Sequence, residues 1–178
     1  MEKILEHYGR VTVYMESNHP SPMYHVDGGV EPNPYGNLAV LLEDDNLEEV
    51  MYNGGAQCVK VAHRDHGMCR TNVWVDDQQG LEIAKNIAAF TSVPLGDGPG
   101  MVPIFDGRLP DGSRVNGTIP PVSPDGPTLT IRKFREDPLT MIDLIKIGTV
   151  NVRLAAMMWV WIEGLDSRPA NFVIAGGT

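Results

Sequence analysis

The sequence of 178 residues contains only two cysteines, Cys58 and Cys69. Two thiols are too few for a framework of disulfide bonds, so the composition excludes the disulfide-rich secreted class and favours a reducing compartment. The chain also lacks an apolar run of the roughly 18 residues that a membrane-spanning helix needs. Its first ten residues, MEKILEHYGR, do not follow the basic-then-apolar order of a secretory signal. The sequence therefore predicts a cytoplasmic protein.

Positive charge is scarce, because 14 Lys and Arg stand against 23 Asp and Glu and give a formal net charge of -9. Nucleic acids and anionic lipid surfaces attract basic proteins, so the sequence predicts no nucleic-acid partner. The basic residues are clustered, however, and three arginines, Arg108, Arg114 and Arg132, lie close in sequence. Guanidinium groups stay charged at any working pH and match the oxygens of a polyphosphate. The alternative is that they are solvated charges at strand edges, which hinder aggregation; composition by itself favours that alternative.

Hydrophobic periodicity predicts both strands and helices. Alternating apolar residues predict a hairpin formed by AQCVKVAHR and MCRTNVWV, and further strands in MVPIF, SRVNGTI and TLTIRKF. QQGLEIAKNIAAF, which follows two aspartates, has the apolar stripe of a helix. After Pro138, MIDLIKI and NVRLAAMMWVWIE predict two more helices, and FVIA at residues 172–175 predicts a short buried strand.

Two other segments have weaker patterns. Residues 16–36 are rich in proline and glycine, which predicts turns in a linker or a surface arm rather than regular structure. Farther along, Asp44 or Asp45 could cap a helical turn that begins at LEEVM. The acidic run at residues 43–49 is then interpreted as a solvated helix start.

Four residues of the predicted hairpin, Cys58, His63, His66 and Cys69, have side chains that bind zinc in other proteins. Cys58 and His63 are an odd number of residues apart on one predicted strand, so they should point to opposite faces. The sequence therefore predicts a hairpin with polar residues at its tip and no metal site. No catalytic pair of acids and no Ser-His-Asp arrangement stands out.

The last seven residues, FVIAGGT, read as a strand followed by the start of a phosphate-binding loop, G-x-x-x-x-G-K-[ST]. Such a loop works because its backbone N–H groups converge on phosphate and its lysine adds charge. No lysine follows Gly176, Gly177 and Thr178 in this chain. We therefore expect that the chain by itself does not complete a nucleotide site.

Three segments, taken in order, resemble the secretion and pilus-assembly ATPases of type II and type IV systems. Residues 36–54, GNLAVLLEDDNLEEVMYNG, are similar to the entry segment of these ATPases. Residues 105–134, FDGRLPDGSRVNGTIPPVSPDGPTLTIRKF, are similar to their second N-terminal subdomain. LTMIDLIKIGT, residues 139–149, with Trp159, Ile162, Glu163 and the closing AGGT, resembles the archaeal branch that drives archaella and archaeal pili.

The resemblance implies an α+β fold. It consists of a PAS-like antiparallel sheet with helices on one face, followed by the first helices and strand of a truncated RecA-like α/β domain. Residues 1–35 would be an N-terminal arm or linker, residues 36–137 the PAS-like domain, and residues 138–178 the hinge and the start of the motor domain. Because the Walker A lysine is absent, this chain is expected to be inactive alone, whereas its parent would be an ATPase.

In that family ATP lies between the motor and the N-terminal domain, whose arginines reach the phosphates when the subunit closes. Carried over by position, the implied nucleotide-binding residues are Arg108, Arg114, Arg132, Gly176, Gly177 and Thr178. The resemblance also implies ATP and Mg²⁺ as cofactors of the full-length parent, with none for this chain. It further implies a hexameric homo-oligomer at the inner face of the cell membrane and a membrane platform protein as partner.

Two alternatives stay open. The region could be an interaction module that docks on a neighbouring subunit or on a membrane platform protein without touching nucleotide, with the acidic run at residues 43–49 facing a basic partner. It could also be a small-ligand sensor, which would need a sizeable apolar pocket inside the sheet.

Overall fold

The computed structural model of the chain describes residues 2–29, 33–55, 57–134 and 138–176. The chain divides into two compact units, Met1–Arg135 and Glu136–Thr178. The first unit contains one nine-stranded sheet and two helical segments, which confirms the predicted mixture of α and β structure. The strands are β1 (Glu2–Tyr8), β2 (Val11–Glu16), β3 (Met23–Val26), β4 (Leu47–Tyr52), β5 (Cys58–His63), β6 (Gly67–Trp74), β7 (Ile104–Arg108), β8 (Arg114–Thr118) and β9 (Thr128–Arg132).

The strands lie in the order β1-β2-β3-β6-β5-β4-β9-β8-β7. Neighbouring strands are antiparallel except β3 and β6, which run parallel and pair through two residue pairs. The predicted hairpin is β5 and β6, and the strands predicted in SRVNGTI and TLTIRKF are β8 and β9, so these predictions are confirmed. A strand also forms near MVPIF, but β7 begins at Ile104, three residues later than predicted.

One face of the sheet is buried beneath the helices, and we call the other the open face. In β5, Val59, Val61 and His63 are buried, whereas the alternate side chains are half-buried. Because side chains alternate along a strand, Cys58 and His63 indeed lie on opposite faces, as predicted. The buried side chains of all strands except β1 join those of the two helical segments in one apolar cluster.

The helical segments of the first unit are α1 (Ala39–Leu42), which follows a 3₁₀ turn, and α2 (Asp77–Phe90). The predicted helix α2 is confirmed. It begins at a capping box in which Asp76 accepts from the backbone of Gln79, whose side chain accepts in return from the backbone N–H of Asp76. Gly80 lets α2 approach the sheet, since a Cβ atom there would overlap the ring of Tyr52.

Two predictions for the first unit were wrong. Residues 23–26 are not irregular but form β3, where Tyr24 is fully buried. The part of residues 1–35 that the structure describes thus contributes three strands to the sheet. LEEVM does not begin a helical turn but lies in β4, because ladders with β5 and β9 on both sides fix it as a strand.

The second unit contains α3 (Met141–Lys146) and α4 (Val152–Glu163), which confirms both predicted helices. The strand predicted at residues 172–175 is not formed, and Val173 is 94% exposed. A strand needs a neighbour to accept its hydrogen bonds, and the described part of this unit offers none. In the described ranges, no helix has both the length and the apolar character needed to cross a membrane.

Candidate functional site

Three of the arginines singled out from the sequence lie side by side on the open face of the first unit. Arg108 of β7 pairs with Arg114 of β8, and Arg114 in turn pairs with Arg132 of β9. Paired residues of antiparallel strands project to the same face, and all three side chains are exposed. The structure therefore brings together three residues that are up to 24 positions apart, and we call them the arginine row.

The loop at residues 109–113 fixes the strands that carry the arginine row. The backbone N–H of Leu109 donates to the carbonyl of Ser113 at 2.8 Å, and Asp111 accepts from both the backbone N–H and the hydroxyl of Ser113. The same hydroxyl oxygen accepts from the backbone N–H of Phe134 at 2.9 Å. Because Ser113 is fully buried, this network holds the loop against the end of β9.

The arginine row brings three positive charges together on the open face. Among the residues that the structure describes, none of the three guanidinium groups forms an ion pair with a carboxylate, although Glu49 of β4 lies opposite Arg132. Like charges directly opposite each other in a ladder destabilise it. A bound polyanion would remove that repulsion, because guanidinium forks match phosphate oxygens. The row is therefore suited to bind an anion.

Of the three residues predicted to open a phosphate loop, the structure describes Gly176. Gly176 lies in the second unit and is exposed, with open space around the position of a Cβ atom. Gly177 and Thr178 lie outside the described residues. The role of these three residues in nucleotide binding stays a prediction.

The four hairpin residues considered as zinc ligands do not form one set. Cys58 lies on the open face opposite Trp74, whereas Cys69 is buried on the other face and donates to the carbonyl of Gly67. Burial raises the pKa of the Cys69 thiol to about 11. This thiol is therefore protonated at neutral pH and is a poor metal ligand or nucleophile.

His63 and His66 do come together, but with a carboxylate that the sequence analysis missed. His66 Nε2 lies 2.8 Å from Glu6 Oε2, and His63 Nε2 lies 3.9 Å from the same oxygen. The two imidazole rings are 4.7 Å apart. We call these three residues the histidine cluster. Within the described ranges it is the one group of at least three ligand-type side chains whose ligand atoms all lie within 4.8 Å of one another.

A half-buried carboxylate, that of Asp44, lies beside the histidine cluster. Asp44 Oδ2 accepts from the hydroxyls of Tyr8 at 2.7 Å and Tyr24 at 2.6 Å, and the Tyr8 oxygen lies 3.1 Å from His63 Nε2. Burial, followed by the hydrogen bonds to Asp44, raises the pKa of both phenols, while burial lowers the pKa of His63. Asp44 therefore belongs to a partly buried hydrogen-bond network rather than to a solvated helix start.

The sequence is similar to that of several known proteins. No protein-family model matches the sequence. The chain is 48% identical over 144 residues to the uncharacterized protein MJ0781 of Methanocaldococcus jannaschii, and 38% identical over 130 residues to MJ0900 of the same organism. These matches cover 80% and 72% of the chain but 20% and 23% of the relatives. The chain thus spans about a fifth of the length of these proteins.

A solved structure has a similar fold. The VirB11 ATPase from the Brucella suis type IV secretion system, determined in complex with sulphate, superposes with a TM-score of 0.53 at 21% sequence identity. The similarity covers 73% of this chain and 40% of the VirB11 chain. The chain therefore shares its α+β fold with part of a secretion ATPase, as the sequence resemblance implied.

Proposed function

We propose that this chain is the nucleotide-clamping and subunit-interaction region of a hexameric secretion or pilus-assembly ATPase. The observation that carries the proposal is the arginine row, three guanidinium groups on one face without carboxylate partners among the described residues. The fold shared with the VirB11 ATPase supports it. That structure was determined in complex with sulphate. The relatives in an archaeon favour the archaeal pilus and archaellum branch.

In this proposal the main seat of ATP and Mg²⁺ belongs to a motor domain of the complete protein. When the subunit closes, Arg108, Arg114 and Arg132 approach the phosphates and stabilise the negative charge of the transferring phosphoryl group. Contacts made only in the closed state favour that state, so binding energy becomes domain rotation. Gly148, with a φ of +80°, follows α3 and is a candidate hinge.

The proposed setting follows from the same resemblance. The complete protein works in the cytoplasm at the inner face of the cell membrane, where it contacts a membrane platform protein. Residues 138–178 serve as the hinge and the start of the motor, with Gly176, Gly177 and Thr178 opening the phosphate loop. The residues of the first unit provide the cover that grips the polyphosphate.

Binding of inorganic triphosphate to the 178-residue chain tests the arginine row directly. The test variant replaces Arg108, Arg114 and Arg132 by Gln, and the matched control replaces Lys3, Arg64 and Lys85 by Gln, with the same loss of charge. We expect NMR signals of the three arginine side chains to shift on titration. We also expect the test variant to bind at least tenfold more weakly than the control. Equal affinities, or shifts confined to other arginines, would refute the proposal.

In the complete protein, replacing both Arg108 and Arg114 by Ala should reduce ATPase turnover by at least tenfold, because each guanidinium stabilises developing charge. The measurement is steady-state phosphate release at saturating ATP. Replacing Lys3 and Lys85 by Ala serves as the control and should leave turnover unchanged. Normal turnover in the arginine variant would show that the row does not act on the phosphates.

The two alternatives have less support. In the acidic run, Glu43 pairs with Arg10, Glu48 and Asp45 lie 4.0 Å from Arg64 and Lys133, and Asp44 is hydrogen-bonded internally, so part of its charge is already paired within the chain. A cleft of about 520 Å³ beside α1 is open rather than enclosed by the sheet. It does not provide the interior apolar pocket that a sensor would need.

A further inference from the structure

The histidine cluster joins parts of the sheet that are distant in its strand order. β1 is an edge strand, and β2, β3 and β6 lie between it and β5. In a flat sheet, four strand spacings would separate β1 from β5 by about 19 Å. Glu6 of β1 nevertheless lies 2.8 Å from His66, in the turn that follows β5. The first strands must therefore curl until β1 reaches the end of β5.

We propose that Glu6, His63 and His66 bind a divalent transition-metal ion, of which Zn²⁺ fits best, and that this ion fastens β1 to the turn between β5 and β6. Two imidazoles and one carboxylate are a common zinc donor set, and a solvent molecule completes the tetrahedron. Glu6 comes from one edge of the sheet and both histidines from its centre. An ion bound here would therefore stabilise the curled form of the sheet.

The distances within the cluster are close to those of a metal site. With zinc–ligand bonds of about 2.0–2.2 Å, neighbouring ligand atoms of a tetrahedron are roughly 3.3 Å apart. The carboxylate oxygen of Glu6 lies 2.8 Å and 3.9 Å from the two histidine nitrogens, and all three atoms lie within 4.8 Å of one another. Shifts on the order of 1 Å would complete the geometry.

Burial of the three side chains leaves a path for the ion. The side chain of His63 is fully buried, that of His66 is 18% exposed and that of Glu6 is 39% exposed. The site thus has a closed floor and a side open to solvent, where the fourth ligand can bind. The apolar core around His63 also lowers the local dielectric and strengthens the attraction between the ion and the carboxylate.

Ion binding through His63 Nε2 would break both hydrogen bonds of that ring, the one to Tyr8 and the one from Asp65. The backbone N–H of Asp65 donates to His63 Nδ1 at 3.2 Å, so in the metal-free chain the ring proton lies on Nε2 and faces the Tyr8 oxygen. Ligation through Nε2 requires the proton on Nδ1, and the Asp65 amide must then turn away. The amide signal of Asp65 is therefore a direct reporter of binding at His63.

Titration of the 178-residue chain with Co²⁺, the spectroscopic substitute for Zn²⁺, tests the site. We expect a visible absorption band of a four-coordinate ion that saturates at one equivalent and is displaced by Zn²⁺. Replacing Glu6 or His66 by Gln should weaken binding at least tenfold. Replacing His25 by Gln is the matched control, because His25 forms an exposed pair with Asp27 outside the cluster. Zn²⁺ should raise the Tm of the unmodified chain but not of the Glu6→Gln variant.

Absence of a saturable band, undiminished binding by the Glu6 and His66 variants, or equal weakening by His25→Gln would each overturn the proposal. Circular dichroism checks that the variants fold. If a variant does not fold, the unmodified chain still decides the question, since the Asp65 amide signal must move when Zn²⁺ is added. An unchanged Asp65 signal at saturating Zn²⁺ would place the ion elsewhere.

Discussion

The two units of the chain hold their helices in different ways. In the first unit α2 buries five residues against the sheet, among them Ile83 and Ile87. In the second unit the described residues of α3 bury no side chain and those of α4 bury only Ala155, while Trp159 is 70% exposed. Both helices of the second unit nevertheless begin at side-chain caps. Packing thus dominates in the first unit, whereas local signals dominate in the second.

The largest difference between the units should be seen when leucine is replaced by alanine. Leu129 of β9 is 1% exposed, whereas Leu154 of α4 is 42% exposed. Leu129→Ala should destabilise the first unit by about 2 to 5 kcal/mol through lost burial and a residual cavity. Leu154→Ala should change stability by about 0.5 kcal/mol or less. Urea denaturation followed by methyl NMR, which resolves both units, checks this, and equal effects would contradict it.

Alkaline pH should affect the units separately, because all five tyrosines lie in the first one. Burial raises the pKa of each of the five phenols. The folded chain therefore keeps phenol protons that the unfolded chain releases above pH about 10. The stability that the buried neutral phenols contribute is fully present below that pH and is lost as the pH rises above it. Each fully retained proton costs about 1.4 kcal/mol per pH unit above 10.

Tyr52→Phe isolates one of these phenols. The hydroxyl of Tyr52 is buried and donates to Asp77. Comparing the variant with the unmodified chain at pH 8 and pH 11 should show a smaller alkaline loss of stability in the variant, by about 1.4 kcal/mol. The helices of the second unit should give unchanged methyl signals at both pH values. An alkaline loss that is the same in both proteins would contradict the prediction.

The contrast between the units also explains which elements could be predicted from the sequence. α3 and α4 follow from caps and periodicity, which are local. β4 was predicted as a helical turn because Asp44 or Asp45, just before it, could cap one. A bulge between Leu47 and Glu49 interrupts the strand alternation, so Leu47 and Val50, three residues apart as on a helix, are both buried. Only the neighbouring strands β5 and β9 reveal this, and they are distant in sequence.

The same reasoning applies to the two sites. Arg108 and Arg114 flank a short loop, so their pairing could be expected from the hairpin. Arg132 joins them only through the register of β9, which the sequence does not specify. Glu6 could not be found beside His63 and His66, because their contact depends on how strongly the sheet curls. Local patterns thus predicted the residue types of the arginine row, while tertiary structure determined the composition of the histidine cluster.

Glycine-to-alanine replacements should separate the units by mechanism, with intermediate effects. A Cβ atom at Gly80 would overlap the ring of Tyr52, so Gly80→Ala should destabilise the first unit by about 1 to 3 kcal/mol. Gly148 has open space around its Cβ position but a φ of +80°. Gly148→Ala should therefore cost about 1 kcal/mol through backbone strain alone. Adding Tyr52→Phe should not restore the stability of either variant, because phenylalanine keeps the ring that a Cβ atom at Gly80 would overlap.

The smallest effects should come from the helix caps. Loss of one cap should destabilise the whole first unit, whereas loss of the other should loosen one helix only. Asp76 caps α2, which is anchored by packing, and Thr140 caps α3, which is not. Each replacement by Ala should cost about 1 kcal/mol. In the first unit that loss lowers the stability of the whole sheet, because α2 and the strands share one core.

In the second unit the loss of the cap should fray α3 locally. Hydrogen exchange would detect this as faster exchange at residues 141–147 and nowhere in the sheet. Faster exchange throughout the sheet after Thr140→Ala would mean that the units are not independent in stability, and the contrast between packed and capped helices would fail.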